Sequence, residues 1–285
     1  MKDTYLLDNY SINFNGNLLN LNTPIIMSIL NTTPDSFFDG GNYNSLEGAL
    51  KKVEKDLESG ATIIDIGGYS TKPNGHEVSL EEEIKRTIPY IEAIIRRFPN
   101  VNLSIDTFRG KVASLALQAG AGMINDISAW NIDDEMIKIV SKYKVPYVLM
   151  HMRGKPKTMQ NQPHYDNLIK DILDFLVKKI DILKSNGLKD IIIDPGFGFG
   201  KTIAHNYSIL SNLNCFKVLK LPILVGISHK SMIYKKLKIS KLDTLNGTTA
   251  LNMYSLSKGA KILRVHDVKE AMECIKLSEA INKNY

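Results

Sequence analysis

Eight short apolar runs recur along this chain, and between them lie longer stretches whose apolar residues return every three or four positions. The runs occupy residues 25–30, 62–66, 102–105, 123–124, 147–150, 191–193, 223–227 and 261–265. Stretches 45–59, 79–97, 109–119, 133–142, 165–186, 204–212 and 267–281 read as amphipathic helices, with a further helix at 243–258 between strands seven and eight. Ser45 and Ser79 precede acidic first turns, where N-caps belong, and Gly60 and Gly187 stand where helices end. The alternation continues without a second compositional region, which predicts one α/β domain with a parallel sheet. Eight β/α pairs favour closure into a (β/α)₈ barrel over an open, doubly wound sheet. Ahead of the first run, Asn15-Gly16 separates two short alternating segments. Both residues tolerate positive φ, so a β-hairpin is expected. Residues 1–22 should plug the bottom of a barrel made by residues 23–285.

Nearly every run ends in a polar or charged side chain: Asn31, Asp65, Asp106, Asn125, His151, Asp194, Lys230, and Arg264 with His266. A barrel core has no need of such groups. Gathered at the C-terminal ends of parallel strands, they mark the face on which barrel enzymes place their chemistry.

Composition narrows the classes. The chain has 285 residues, 44% of them hydrophobic, enough for one large core. Its net charge of +6 would suit nucleic acid or an anionic small substrate. The basic residues are scattered, as at Lys51, Lys52, Lys55, Lys178, Lys179, Lys235, Lys236 and Lys238, with a single Trp and no aromatic–basic stripe. They read as solvated helix faces, and no nucleic-acid partner is expected. Cys215 and Cys274 are far apart, which excludes a disulfide framework and a Cys-ligated zinc site. No signal peptide and no membrane span are read, so the cytoplasm is the expected compartment.

Four segments carry candidate chemistry. Ile193-Asp-Pro-Gly-Phe-Gly-Phe-Gly-Lys-Thr202 nearly matches a phosphate-binding P-loop, but Pro195 stands where the first glycine belongs and has neither the N–H nor the positive φ. A flexible loop framing a flat, partly aromatic ligand with Asp194, Phe197 and Phe199 is the better reading. Asp65, Asp106, Asn125, Asp126 and Asp194 would ring the mouth as metal ligands or as acceptors. A carboxylate in such a ring pairs through two hydrogen bonds with an edge carrying an NH₂ beside a ring NH. Alternation puts Arg264 and His266 on one face with Val265 opposite, an arrangement suited to an anion. In Ser228-His-Lys-Ser231, Lys230 and Ser231 suit a carboxylate or carbonyl oxygen, or else Ser231 merely caps a helix. His151 lacks a partnering nucleophile and is expected to play a supporting role.

Taken in order, these residues resemble the dihydropteroate synthase family. Met27-Ser-Ile-Leu-Asn-Thr-Thr-Pro-Asp-Ser-Phe-Phe-Asp-Gly-Gly41 resembles its first signature and Asp65-Ile-Gly-Gly-Tyr-Ser-Thr-Lys-Pro73 its second. Ser104-Ile-Asp-Thr107, Ile124-Asn-Asp-Ile127, the run from Leu149 to Gln160, residues 194–201, residues 228–233 and Arg264-Val-His-Asp267 follow in register. The resemblance implies a TIM barrel, a homodimer, and a transferase of folate biosynthesis. Such an enzyme joins (7,8-dihydropterin-6-yl)methyl diphosphate to 4-aminobenzoate, releases pyrophosphate, uses Mg²⁺ and is a sulfonamide target. By position it implies Asp106, Asn125, Asp194, Lys230 and Arg264 for the pterin. Asn31, Thr71, Arg264 and His266 would take the diphosphate, with Asn31 also toward the metal. Phe37, Thr71, Pro73, Phe199, Lys230 and Ser231 would form the aminobenzoate pocket. The catalytic set would be Asp39, Asp106, Lys230, Arg264 and His266, with cationic Arg264 and His266 favouring the leaving anion. The glycine-rich loops 31–44 and 67–75 would be mobile and would complete the aminobenzoate pocket only after the pterin diphosphate binds. Tyr69, Lys72 and His229 depart from the family pattern of a small or acidic residue, Arg and Arg. A methyltetrahydrofolate–corrinoid methyltransferase and a non-catalytic pterin-binding protein are the alternatives. The Ser228–Ser231 segment and the first two loops weigh against them.

Overall fold

The computed structural model describes residues 10–33, 45–69, 77–154, 159 and 163–282. The chain opens with the hairpin, β1 (Ser11–Phe14) and β2 (Asn17–Asn20), paired antiparallel. Asn15 and Gly16 turn it at φ of 50° and 88°, as the dipeptide requires. Eight parallel strands follow: β3 (Ile25–Asn31), β4 (Ile63–Gly67), β5 (Leu103–Asp106), β6 (Met123–Asp126), β7 (Tyr147–Met150), β8 (Ile191–Asp194), β9 (Leu224–Val225) and β10 (Ile262–Val265). They pair in the order β8-β7-β6-β5-β4-β3-β10-β9. A parallel bridge between Ile193 and Ile223 joins the two ends and closes the barrel. The seventh strand is shorter than its apolar run, because only Leu224 and Val225 keep ladder pairing with β10.

Nine helices among the described residues surround the barrel: α1 (Leu46–Glu58), α2 (Leu80–Arg97), α3 (Gly110–Gln118), α4 (Glu135–Tyr143), α5 (Leu168–Ser185), α6 (Ile203–Ser211), α7 (Ser231–Leu237), α8 (Leu245–Ser257) and α9 (Val268–Asn282). Ser45 and Ser79 accept N–H groups of Gly48 and Glu82 at 3.1 Å, as N-caps do. Gly60 and Gly187 end α1 and α5 at positive φ. Lys52 corrects the reading of a solvated basic face. It is buried and pairs with Asp56 at 2.8 Å, and Asp56 in turn accepts the Ser28 hydroxyl at 2.5 Å.

Strand alternation divides the apolar residues into two cores. Ile26, Ile64, Leu103, Ile124, Leu149, Ile193 and Val265 face outward and pack under the helices. Ile25, Met27, Ile63, Met123, Val148, Ile192, Leu224 and Ile262 face inward and pack against Ile12, Phe14 and Leu21. The hairpin therefore does plug the bottom. Its turn docks where residue 122 is glycine: a Cβ there would lie 2.5 Å from Phe14 and 2.6 Å from Asn15. The same period of two carries Asp65, Asp106, Asn125, Asp194 and Arg264 to the interior, one layer nearer the mouth.

Phe14 is 1% exposed in that inner layer. Phe14→Ala should cost about 3–5 kcal/mol in a urea titration, because nothing else can fill the axis of the barrel. Leu18→Ala, 77% exposed on the same hairpin, should change stability by no more than about 0.5 kcal/mol.

Candidate active site

The floor of the mouth is a charged network across four strands. Asp65 on β4 is 0% exposed. Its Oδ2 accepts Asn125 Nδ2 at 2.9 Å and Arg264 Nε at 2.7 Å. Arg264 Nη2 continues to Asp106 Oδ2 at 2.6 Å. The side chains of Arg264 and Asp106 are each 19% exposed, so the network reaches the mouth at that end. Burial pushes the Asp106 carboxyl up to about 7, against the pull of Arg264. Burial also works against the Arg264 cation, but Asp65 and Asp106 outweigh it and hold its pKa above the ordinary value. Asn31 ends β3 half-buried in the adjacent position. A Cβ built on Gly67 would lie 3.6 Å from both Asn31 Oδ1 and Asp106 Oδ2, so these two oxygens flank one bare stretch of strand.

Asp194 and the glycine-rich loop after β8 make the opposite wall. Asp194 Oδ1 accepts the Gly196 N–H at 2.7 Å. Burial raises the pKa of this carboxyl, while Lys230 opposes the rise. The loop is braced by hydrogen bonds from beneath. Lys201 turns back beneath it and meets the carbonyls of Gly196, Phe199 and His151 at 2.8, 3.0 and 3.2 Å and His151 Nδ1 at 3.0 Å. Asn206 accepts the Gly198 N–H at 2.7 Å, and Tyr165 donates to the Gly200 carbonyl at 2.9 Å. Gly196 is obligatory here: at φ 75°, its Cβ would lie 1.9 Å from the His151 carbonyl oxygen. The P-loop reading falls with this geometry, because the lysine holds the loop's own carbonyls.

His151 carries the supporting role expected of it. Burial, with Lys201 and Arg153 nearby, drives its pKa down to about 2. Its imidazole should therefore stay neutral, and its ring resonances should not move between pH 4 and pH 8. An NMR titration of the histidine ring protons checks this; a midpoint near 6.5 for His151 would contradict it.

Lys230 donates to the Phe197 carbonyl and lies 4.9 Å from the Phe199 ring centroid. Burial lowers its pKa to about 8, with Asp194 pulling the other way. Ser231 is the first residue of α7 rather than its cap. The remaining wall is apolar: Phe108, Ile127, Met150, Met152 and Met159, with Tyr69 and Phe199 against them. Ile127 and Met150 were missed in the sequence, although Met150 pairs in register with Asp194 and so had to end its strand at the mouth. Tyr69, a departure from the family pattern, packs edge-on to Phe108 with centroids 5.0 Å apart. Arg109 covers both rings, pairs with buried Glu83 at 2.7 Å and donates to the Val78 carbonyl at 2.7 Å.

Three further residues change the picture. Asp126 does not join the ring. It points outward and accepts the N–H groups of Ser128 and Trp130 and the Tyr147 hydroxyl at 2.7–2.8 Å. His266 is half-buried beside Arg264. Burial, His229 and Arg264 hold its pKa well below the ordinary range, which favours the neutral ring while no anion is bound. His229 is buried at φ 53° between Thr244 and Asp267, 2.6 Å from each. Phe37, Asp39, Thr71, Lys72 and Pro73 lie outside the described residues, as do most of the two loops expected to be mobile.

A family profile described as pterin binding enzyme matches residues 27–266. The dihydropteroate synthase of Escherichia coli K12 is 43% identical over 277 residues, covering 95% of this chain and 98% of that protein. The solved structure of the Yersinia pestis dihydropteroate synthase with a sulfonamide drug complex superposes with a TM-score of 0.92. It is 42% identical and covers 96% of this chain and 100% of that one. The Xanthomonas albilineans dihydropteroate synthase solved with 4-aminobenzoic acid gives a TM-score of 0.89 at 36% identity, over 97% of this chain and 100% of that one.

Proposed function

From the premise that the chain belongs to the dihydropteroate synthases, transferases of the pterin-binding enzyme family, we propose how its residues divide the reaction. The observation that carries the assignment is the inward face of five strands, which gathers Asp65, Asp106, Asn125, Asp194 and Arg264 above an apolar layer. Asp106, Asn125, Asp194, Lys230 and Arg264 hold the pterin of (7,8-dihydropterin-6-yl)methyl diphosphate. The Asp194 carboxylate suits the pterin's amino group and adjacent ring N–H, and the Met150–Ile127 wall suits its flat faces. Asn31, Thr71, Arg264 and His266 take the diphosphate. Phe37, Thr71, Pro73, Phe199, Lys230 and Ser231 receive 4-aminobenzoate, and sulfonamides of similar shape compete there.

In the reaction the methylene C–O bond breaks and its electron pair leaves with pyrophosphate. The aniline nitrogen attacks the methylene carbon and gives up one proton. The nitrogen is already a nucleophile, so no covalent enzyme intermediate is needed. Asp106 and Asp194 offset the positive charge that spreads into the pterin. Arg264 supplies fixed positive charge toward the leaving anion, and His266 supplies a hydrogen-bond donor. Lys230, with its pKa lowered, sits between Asp194 and the aromatic ring of Phe199. Asp39 belongs to the loop that would close over these groups.

Mg²⁺ fits this donor set. The Asn31 amide oxygen and Asp106 Oδ2 both lie beside Gly67 at the mouth, hard oxygen donors of the kind magnesium takes. A magnesium ion commonly keeps few protein ligands and shares substrate phosphates. Held by Asn31 and the diphosphate, it would supply positive charge to the leaving group. The proposal extends to a cytoplasmic homodimer: Leu242, Leu277 and Ile281 are largely exposed near α8 and α9. Sedimentation should give twice the chain mass.

The test is turnover. Pterin diphosphate and 4-aminobenzoate should release pyrophosphate together, only in each other's presence, and faster with Mg²⁺. Methyl transfer to a corrinoid, or binding without turnover, would overturn the reading.

A further inference from the structure

Asp65 is too deep to touch a ligand, yet it holds two of the residues that the proposed site uses. It is 0% exposed, and Oδ2 accepts from both Asn125 Nδ2 and Arg264 Nε. Its other oxygen, Oδ1, has no hydrogen-bond partner among the described residues. A carboxylate buried this far and only half satisfied is a poor stabiliser of a fold. Its consequence for Asn125 is specific. An asparagine amide has a donor end and an acceptor end, and the two are nearly the same shape. A carboxylate can only accept, so Asp65 draws the Nδ2 end of Asn125 and turns Oδ1 away from itself. On the other side, the same oxygen fixes Arg264 through Nε, leaving its Nη2 for Asp106 at the exposed end of the network.

We propose that Asp65 is the positioning residue of the pterin site: it sets the amide orientation of Asn125, so that an acceptor rather than a donor faces the ligand, and holds the Arg264 fork toward Asp106. The inference rests on the assignment of Asn125 and Arg264 to the pterin. The chemistry that this orientation selects is a ring N–H other than the one beside the amino group, which a 7,8-dihydropterin supplies at N8. With the amide reversed, donor would meet donor, and a pterin would be rejected without any change in the shape of the pocket.

The exchange of partners tests this. Asp65→Asn keeps the shape but lets the side chain at 65 present an N–H to Asn125, which removes the preference between the two amide orientations. The double variant Asp65→Asn/Asn125→Asp restores the donor–acceptor pair between these two side chains, keeps the total charge and puts an acceptor back at the mouth, although the N–H at 65 then faces Arg264 Nε, which shares the same Oδ2 in the wild type. Calorimetry with 6-hydroxymethyl-7,8-dihydropterin, which carries the N8–H, should show Asp65→Asn binding about tenfold more weakly or worse, the effect of one lost buried hydrogen bond. The double variant should recover the part of that loss that belongs to residue 125, and not the part that belongs to Arg264. In turnover, KM for the pterin diphosphate should rise while KM for 4-aminobenzoate stays unchanged, a split that a general loosening of the fold would not give. Asp194→Asn is measured in parallel. If it too binds pterin normally, the pterin site is wrongly assigned and the inference falls with it. If Asp194→Asn weakens binding while Asp65→Asn does not, or if the folded double variant binds no better than the single one, the site stands and the role of Asp65 is overturned. Should Asp65→Asn not fold, the wild-type protein decides. The Asn125 Nδ2 protons should exchange slowly with solvent in NMR spectra and stay protected when pterin binds. Rapid exchange, or a pterin-induced change in that protection, would refute the orientation.

Discussion

Asp194→Asn should weaken pterin binding by about 2–5 kcal/mol, which is about 30-fold or more in affinity. The argument depends on the loop that follows. Asp194 Oδ1 already accepts the Gly196 N–H at 2.7 Å, and Gly196 is locked by Lys201 and by its approach to the His151 carbonyl. An asparagine keeps that bond only with its own oxygen in the Oδ1 position. Its NH₂ must then occupy the other corner, the one turned toward the amino and ring N–H groups of the pterin. A donor faces donors, and the amide cannot flip without leaving the Gly196 N–H unpaired. Calorimetry with 6-hydroxymethylpterin reads the loss directly; binding within twofold of wild type would remove Asp194 from the site.

Arg264→Ala should act on the fold as well as on the ligand. The guanidinium joins Asp65 at 2.7 Å to Asp106 at 2.6 Å. Removing it leaves two carboxylates facing one another inside the barrel. Breaking a buried pair costs about 3–5 kcal/mol, and the 19% exposure of Arg264 and Asp106 places this case near the lower figure. For a chain of this size that is a fall in Tm of about 5–10 °C. Arg264→Lys should recover only part of it, since an ammonium lacks the fork that spans both carboxylates. The diphosphate-bearing pterin should lose more affinity than the bare hydroxymethylpterin, because only the former presents phosphate oxygens. Equal losses would confine Arg264 to the pterin floor.

The period of two explains why so much of this site was legible before the fold was seen. Asp65, Asp106, Asn125, Asp194 and Arg264 each stand an even number of positions from an inward apolar residue on the same strand or at a paired register. Once a barrel is inferred, their direction follows. Asp126 shows the limit of a coarser reading, for it is one residue from Asn125 and therefore faces the helices. Lys52 was misread for a different reason, and the role of Lys201 was not foreseen. A lysine in a polar stretch looks solvated: the i,i+4 spacing of Lys52 and Asp56 allows their pair but does not show its burial, and nothing local shows that three carbonyls and a histidine ring will converge on Lys201. The Glu83–Thr107–Arg109 cluster is equally silent in the sequence. Its members are 24 and 26 residues apart and meet only because α2 packs beside α3. The lowered pKa of His266 arises from burial beside Arg264 and His229, a property of the assembled mouth rather than of the Arg-Val-His tripeptide.

The hairpin under the barrel also sets traffic. Ile12, Phe14 and Leu21 pack into the lower end, so among the described residues the way to the floor is from the mouth. Whatever rests on the Asp65–Arg264 floor entered past the positions of its later neighbours and must leave past them again. The ligand loaded first is then the one released last. A pterin at the floor waits for pyrophosphate and for the aminobenzoate end of the product to clear the rim. Product should therefore compete with the pterin substrate for one and the same doorway, and a second aminobenzoate arriving early should delay departure rather than hasten it.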